Sequence, residues 1–236
     1  PEIVDLATFL NNMGAHIRGA GTNEIRIQGV DSLKSMNVHT IIPDRIEAGT
    51  YLSFAAANGN GVLVKNVITE HLDPFLSKLE EMGVRMEIDE DEIYVPGGDV
   101  LSPVNIKTSP FPGFATDLQQ PITPLLMQAR GSSTIIDTLY PERTKHIPEM
   151  QRMGAKISSK DGIITVGHST DLSGTVVEAG EIRAGVSLVG LALMAKGTTV
   201  INKADNILRG YDRIVEKFRG LSVDLEVINE SESLNH

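Results

Sequence analysis

The sequence predicts an α/β protein assembled from copies of one β-α-β-α-β-β unit with mixed sheets. Three observations carry that expectation. A helix that ends in a Met-Gly-like stop, followed by strand alternation, recurs about every 70 residues, at Gly14, Gly83, Gly154 and Ser222. An earlier helix in each of the last three copies ends at another glycine: Gly59, Gly131 and Gly197. The two helix types also differ, one apolar on nearly every face and the other amphipathic. Strands and helices alternating in this way place helices against sheets.

Taken in order, Pro1-Glu2-Ile3-Val4-Asp5 reads as the first turn of a helix, with Pro at a tolerated position and acids near the positive end. A chain opening at a helix start, with no strand before it, reads as part of a longer protein. Residues 1–38 are the last half of a fourth unit. The complete copies span about 39–100, 101–172 and 173–236. In the first, residues 50–57 form an apolar helix and residues 74–82 an amphipathic one. Val84, Met86 and Ile88 then alternate as a strand, Asp89-Glu90-Asp91 turns the chain, and Ile93-Tyr94-Val95 returns. The second copy repeats this at Ala155 and Ile157, the turn Ser159-Lys160-Asp161-Gly162, and Ile163-Ile164-Thr165-Val166. In the third, residues 184–195 are apolar all round and hence buried, and residues 212–219 are amphipathic. Ser222-Val223-Asp224-Leu225 follows as the counterpart of the earlier strands. Gly49, Gly185 and Gly190 lie in buried helices, where they permit close approach at a cost of about 1 kcal/mol each relative to Ala. Residues 230–236 are polar and read as a frayed end.

Composition narrows the function. With 236 residues, 41% hydrophobic and 22% charged, the chain is an ordinary globular protein. A net charge of -10 argues against a general nucleic-acid binder, but a local arginine cluster still suits an anionic ligand. The absence of cysteine excludes disulfides, thiolate metal sites and a cysteine nucleophile within the chain. No apolar run is long enough to span a membrane. No P-loop motif occurs, and His39 and Asp44 have no metal-ligand company, so neither metal nor cofactor is expected.

Counting within the repeat gives the candidate site. Arg45, Asp117 and Arg183 stand at one offset before Gly59, Gly131 and Gly197. Asp44 with Glu47, and Thr116 with Gln119, have the spacing of capping boxes. A pseudo-threefold arrangement would aim the three buried helices' N-termini at one region, which suits an anion. Asp117 fits such a position. Arg45 and Arg183 oppose the dipole, so each answers an anionic ligand, forms a salt bridge to Asp117, or is a plain surface arginine at a helix start. His71, Arg143 and Arg209 share a second offset, after Gly61, Ser133 and Thr199. Arginine there suits bidentate recognition of carboxylate or phosphate. His146, close to Pro148, reads as a helix-start residue rather than a catalyst. Pro121 and Pro124 loosen the turn after Asp117 or move the helix start toward Pro121.

Six segments carry a family resemblance. They are Pro1-Glu2-Ile3-Val4-Asp5, Ile42-Pro43-Asp44-Arg45-Ile46-Glu47-Ala48-Gly49-Thr50, Phe114-Ala115-Thr116-Asp117-Leu118-Gln119, His146-Ile147-Pro148-Glu149-Met150, Ile182-Arg183-Ala184 and Arg209-Gly210-Tyr211-Asp212-Arg213-Ile214. Together they resemble the UDP-N-acetylglucosamine 1-carboxyvinyltransferases, the enolpyruvyl transferases of peptidoglycan synthesis. The resemblance implies two inside-out α/β prisms, each of three units, with the active site in the cleft between them. Residues 39–236 would be most of the C-terminal domain and residues 1–38 the end of the other. It implies a cytoplasmic enzyme that transfers the enolpyruvyl group of phosphoenolpyruvate to the 3-hydroxyl of UDP-N-acetylglucosamine. Asp117 would be the base for that hydroxyl. Leu139 and Tyr140 would lie by the uridine and sugar, and Arg209 would grip phosphoenolpyruvate with Arg183 close by. Thr116, Arg45, Arg143 and Glu181 would be further substrate contacts. Glu181 stands where the family has Asp. The family's Cys-bearing loop, its N-terminal lysine and the arginine of its first domain are not in this chain, which implies that the chain alone is inactive. The rival readings are the shikimate-pathway enolpyruvyl transferase, an RNA-end cyclase or RNA-binding protein built on related units, and a non-catalytic ligand-binding fragment.

Overall fold

A computed structural model describes residues 1–35 and 38–229, so the frayed end expected at 230–236 lies outside the described residues. The chain forms two compact units, Pro1–Asp44 and Arg45–His236.

In the first unit, α1 (Glu2–Asn12) is followed by an antiparallel pair, β1 (His16–Arg18) and β2 (Arg26–Gln28), with Ile17 opposite Ile27. The Asn11 side chain locks the helix end to the strand. It donates to the carbonyl of Ile17 at 2.9 Å and accepts from the same residue's N–H at 2.8 Å.

The second unit is built on three buried helices: α2 (Arg45–Asn58), α4 (Gln119–Leu126) and α6 (Ile182–Ala192). Every residue of α4 is buried, and it packs against both α2 and α6. Small residues make this possible. A Cβ on Gly190 would lie 2.2 Å from the Phe54 ring, and one on Gly49 would lie 2.7 Å from Leu118. A side chain at Gly190 would push α6 from α2, and one at Gly49 would displace Leu118. The amphipathic helices behave as their pattern requires. α3 (Asp73–Met82) buries Phe75, Leu76, Leu79 and Met82, one stripe of a 3.6-residue period, while α8 (Ile214–Gly220) buries Ile214 and Phe218. Full burial of side chains of this size contributes roughly 1.5–3 kcal/mol each.

The middle copy of the repeat is complete. β6 (Asn105–Lys107), β7 (Ser132–Ile136), β8 (Ile157–Lys160) and β9 (Ile163–Gly167) form one sheet in the order β6-β7-β9-β8, with β6 and β7 parallel and the other pairs antiparallel. Its amphipathic helix is α5 (His146–Arg152). The first copy supplies β3 (Val62–Lys65), β4 (Glu87–Ile88) and β5 (Glu92–Val95), in the order β3-β5-β4. The last supplies the parallel pair β10 (Val176–Glu178) and β11 (Val200–Asn202), followed by α7 (Asp205–Leu208) and α8.

Two expected strand positions differ. Among the described residues, neither 39–44 nor 223–229 forms a strand. A strand exists only where a ladder partner supplies its hydrogen bonds, and neither segment has one. Val223 and Leu225 instead lay their side chains against the cluster of Phe54, Tyr211 and Phe218. The fourth helix stop does hold without glycine, because Ser222 takes φ 61°, in the same left-handed region as Gly14 (100°), Gly83 (89°) and Gly154 (91°).

Candidate active site

The site begins at the entrance to α4. Pro121 has no N–H to give the carbonyl of residue 117, so the first turn cannot close as an α-helix. The chain passes through a 3₁₀ turn at Thr116–Leu118, with the Leu118 N–H on the Ala115 carbonyl at 3.0 Å, and α4 begins at Gln119 rather than near Pro121. The capping box expected at Thr116 and Gln119 does not form. Thr116 Oγ1 donates to Asp137 Oδ2 at 2.5 Å, and Gln119 Nε2 donates to the Arg143 carbonyl at 3.4 Å. A carboxylate is a stronger acceptor for the hydroxyl than anything the helix end offers.

Asp117 is clamped by two arginines, one from its own copy of the repeat and one from the next. Arg143 Nη1 donates to Asp117 Oδ1 at 2.8 Å and to Thr116 Oγ1 at 3.1 Å. Arg183, in the first turn of α6, donates to Asp117 Oδ2 from Nε at 3.3 Å and Nη2 at 3.2 Å. This pairing supplies the partner that a cation at a helix N-terminus needs. The three side chains are 38%, 19% and 18% exposed for Asp117, Arg143 and Arg183, so the cluster is partly desolvated yet open to solvent. Burial alone would raise the Asp117 pKa. The Arg143 hydrogen bond and the charges of Arg183 and Arg143 outweigh it, and the carboxyl titrates below its ordinary range. Aromatic rings back both guanidiniums: Arg143 lies 4.8 Å over Tyr140, and Arg183 lies 5.3 Å over Tyr211.

Beneath this cluster lies Asp137, 4% exposed, just past the end of β7. Its carboxylate accepts from Thr108 Oγ1 at 2.8 Å, Thr116 Oγ1, and the N–H groups of Leu139 and Tyr140 at 3.0 and 2.8 Å. It therefore sets both the turn that carries Asp117 and the loop that carries Arg143. Sequence reasoning missed this residue. The signal was there: Asp137 stands four residues past Ser133, where the other copies have Lys65 and Lys203.

The structure brings Thr116, Asp117, Arg143 and Arg183 into direct contact and places Leu139 and Tyr140 beside them through Asp137. Glu181 contacts none of these side chains. Its Oε1 accepts from Gln120 Nε2 at 2.9 Å. Arg45 lies 5.7 Å over the Phe111 ring, which also meets His71 edge-on at 6.3 Å. Arg209 is exposed at the C-terminal end of α7. His146 opens α5, as expected of a helix-start residue, and is fully buried there. Among the described residues, no group of three His, Asp or Glu is placed to hold a metal ion, and no helix is long and apolar enough to cross a membrane. Chemically, the site offers one carboxylate that can accept a proton and several guanidiniums that can hold anionic charge.

Comparison with known proteins assigns the fold family. The EPSP synthase model (3-phosphoshikimate 1-carboxyvinyltransferase) matches residues 1–218. The chain belongs to the EPSP synthase family. Within that family it is similar to the enolpyruvyl transferase NikO from Streptomyces tendae, with a TM-score of 0.84 and 27% identity over 94% of this chain and 53% of that one. EPSP synthase from Acinetobacter baumannii shares the fold at a TM-score of 0.71 and 17% identity, over 94% of this chain and 55% of its own. The fold is thus the inside-out α/β prism of the EPSP synthase family, with buried helices and outer sheets. In sequence the chain is 60% identical over 232 residues to UDP-N-acetylglucosamine 1-carboxyvinyltransferase 2 of Lactiplantibacillus plantarum, covering 98% of this chain and 54% of that protein. It is 56% identical over 230 residues to the protein of the same name from Streptococcus mutans. The chain spans about half the length of the curated relatives it matches.

Proposed function

We propose that this chain forms the Asp117 half of a UDP-N-acetylglucosamine 1-carboxyvinyltransferase, a cytoplasmic enzyme that moves the enolpyruvyl group of phosphoenolpyruvate onto the sugar 3-hydroxyl. The observation that carries the reading is the clamp itself: one carboxylate at a helix entrance, open on one side and held by Arg143 and Arg183. The names of relatives at 56–60% identity favour the UDP-sugar as acceptor over 3-phosphoshikimate.

In this mechanism the 3-hydroxyl oxygen bonds to the enolpyruvyl carbon, phosphate leaves, and Asp117 takes the hydroxyl proton. A carboxylate held by two guanidiniums is a weak base. An anionic substrate that draws on Arg183 or Arg143 loosens that hold and raises the basicity of Asp117 when the hydroxyl is in place. Arg209, exposed and at the equivalent offset to Arg143, is free to fork onto the phosphoenolpyruvate carboxylate or phosphate. Leu139 and Tyr140 hold the sugar nucleotide, and Thr116, Arg45 and Glu181 line its approach. The matched relatives are nearly twice as long, and on this reading the other half of the site comes from the N-terminal domain of the same protein. The chain of residues 1–236 alone gives no phosphate release with both substrates present; turnover by it would contradict this reading.

The role of Asp117 is tested by Asp117→Asn in the full-length protein. Turnover is expected to fall by about 10²-fold or more, with UDP-sugar affinity changing less. An unchanged rate would remove Asp117 as the base.

A further inference from the structure

Behind the ion cluster lies a second set of contacts that the proposed chemistry does not use. Gln120 has no exposed surface, and its Nε2 donates to the half-buried Glu181 Oε1 at 2.9 Å and to the buried His146 Nδ1 at 3.2 Å. The positions of these partners matter. Gln120 follows Asp117 by three residues, His146 follows Arg143 by three, and Glu181 precedes Arg183 by two. The contacts between the charged residues are therefore doubled, one step along each segment, by contacts among their neighbours. We propose that Gln120 is a positioning residue, which fixes the starts of α4, α5 and α6 so that Arg143 and Arg183 meet Asp117. The role in turnover rests on the enolpyruvyl transfer proposed above.

Glu181 supports the assignment. It is the N-cap of α6, with an extended backbone (φ −157°, ψ 171°), and its carbonyl accepts the Gly185 N–H at 2.8 Å. A short oxygen-bearing side chain there, such as Asp or Ser, ordinarily caps the helix. Glu181 makes no such bond. Its side chain reaches Gln120 instead, which ties the first turn of α4 to the residue from which α6 starts. His146 completes the set. It is the first residue of α5, and with Gln120 as donor its Nδ1 must be the acceptor and its proton must sit on Nε2. Burial keeps the ring neutral, with its pKa pushed down to about 3. A leucine at position 120 would fill similar volume but could hold neither partner, which separates positioning from packing.

The test uses the full-length protein with ¹⁵N-labelled histidine. In the wild type, the His146 ring is expected to show an unprotonated Nδ1 and a protonated Nε2, unchanged between about pH 5 and pH 8. In Gln120→Leu that signature is lost, and kcat falls on the order of tenfold while KM for the UDP-sugar stays within about threefold. A folded Gln120→Leu variant with wild-type kcat would overturn the proposal. So would a wild-type His146 that carries its proton on Nδ1, a result that does not depend on the variant folding. A wild-type protein that shows the expected ring signature but no enolpyruvyl transfer would instead count against the proposed function.

Discussion

The ends of β7 and of β3 and β11 occupy the same place in three copies of one unit, yet they do opposite things. Past β7 stands Asp137, buried and holding four hydrogen bonds. At the matching positions stand Lys65 and Lys203, whose side chains are 69% and 61% exposed and pair with Glu92 and Glu178 on the surface. The fold tolerates a solvated lysine at this station in two copies. The third turns the station inward and uses it to organise a turn and a loop around Asp117. The repeat fixes where the backbone goes, and the departures from it mark where the chemistry is.

The widest gap between these stations should appear on truncation. Asp137→Ala leaves the hydroxyls of Thr108 and Thr116 and two N–H groups without their shared acceptor, so it should cost about 2–4 kcal/mol in denaturant unfolding. Phosphate release by the full-length protein should fall with it. Next in size, taken per pH unit, is a pH effect at His146. Its folded pKa is depressed below its unfolded value, so the unfolded chain takes up the proton first as pH falls below about 6.5. Stability present above that pH is lost toward pH 3, at up to about 1.4 kcal/mol per pH unit. His146→Gln should flatten that slope, which urea midpoints between pH 4 and pH 7 would show. Arg143→Lys cannot fork between Asp117 and Thr116, and should cost about 1 kcal/mol with a parallel loss of turnover. Smallest are the surface positions. Lys65→Ala and Lys203→Ala should change stability by less than about 0.5 kcal/mol. Arg209→Lys should be as mild in unfolding but should raise KM for phosphoenolpyruvate, since lysine lacks the bidentate fork. A stability loss at Lys203 as large as that at Asp137 would erase the distinction between the stations.

Much of this was legible in the sequence because it depends on local spacing. Counting back from the helix-ending glycines reached Asp117 and Arg183, and counting forward reached Arg143. The apolar helices, their close-packing glycines and the left-handed stop at Ser222 follow from patterns within one segment. What stayed hidden depends on partners far along the chain. Thr108 and Asp137 are 29 residues apart, and Gln120 and Glu181 are 61 apart. Capping spacing gave Thr116 a local role, but a buried carboxylate just past β7 took its hydroxyl. Alternation at Val223 and Leu225 looked like a strand, whereas a strand also needs a ladder partner, which no local pattern reveals. Arg45, Arg143 and Arg209 read alike as repeat-offset arginines, and only the fold separates the one on the carboxylate from the one over an aromatic ring and the one in solvent.

The acceptor is the most direct point of attack. Phosphate release by the full-length protein should be measured with phosphoenolpyruvate and either UDP-N-acetylglucosamine or 3-phosphoshikimate. Release that requires the UDP-sugar, and is lost in Asp117→Asn, is the expected result. Release driven by 3-phosphoshikimate, or by neither acceptor, would contradict it.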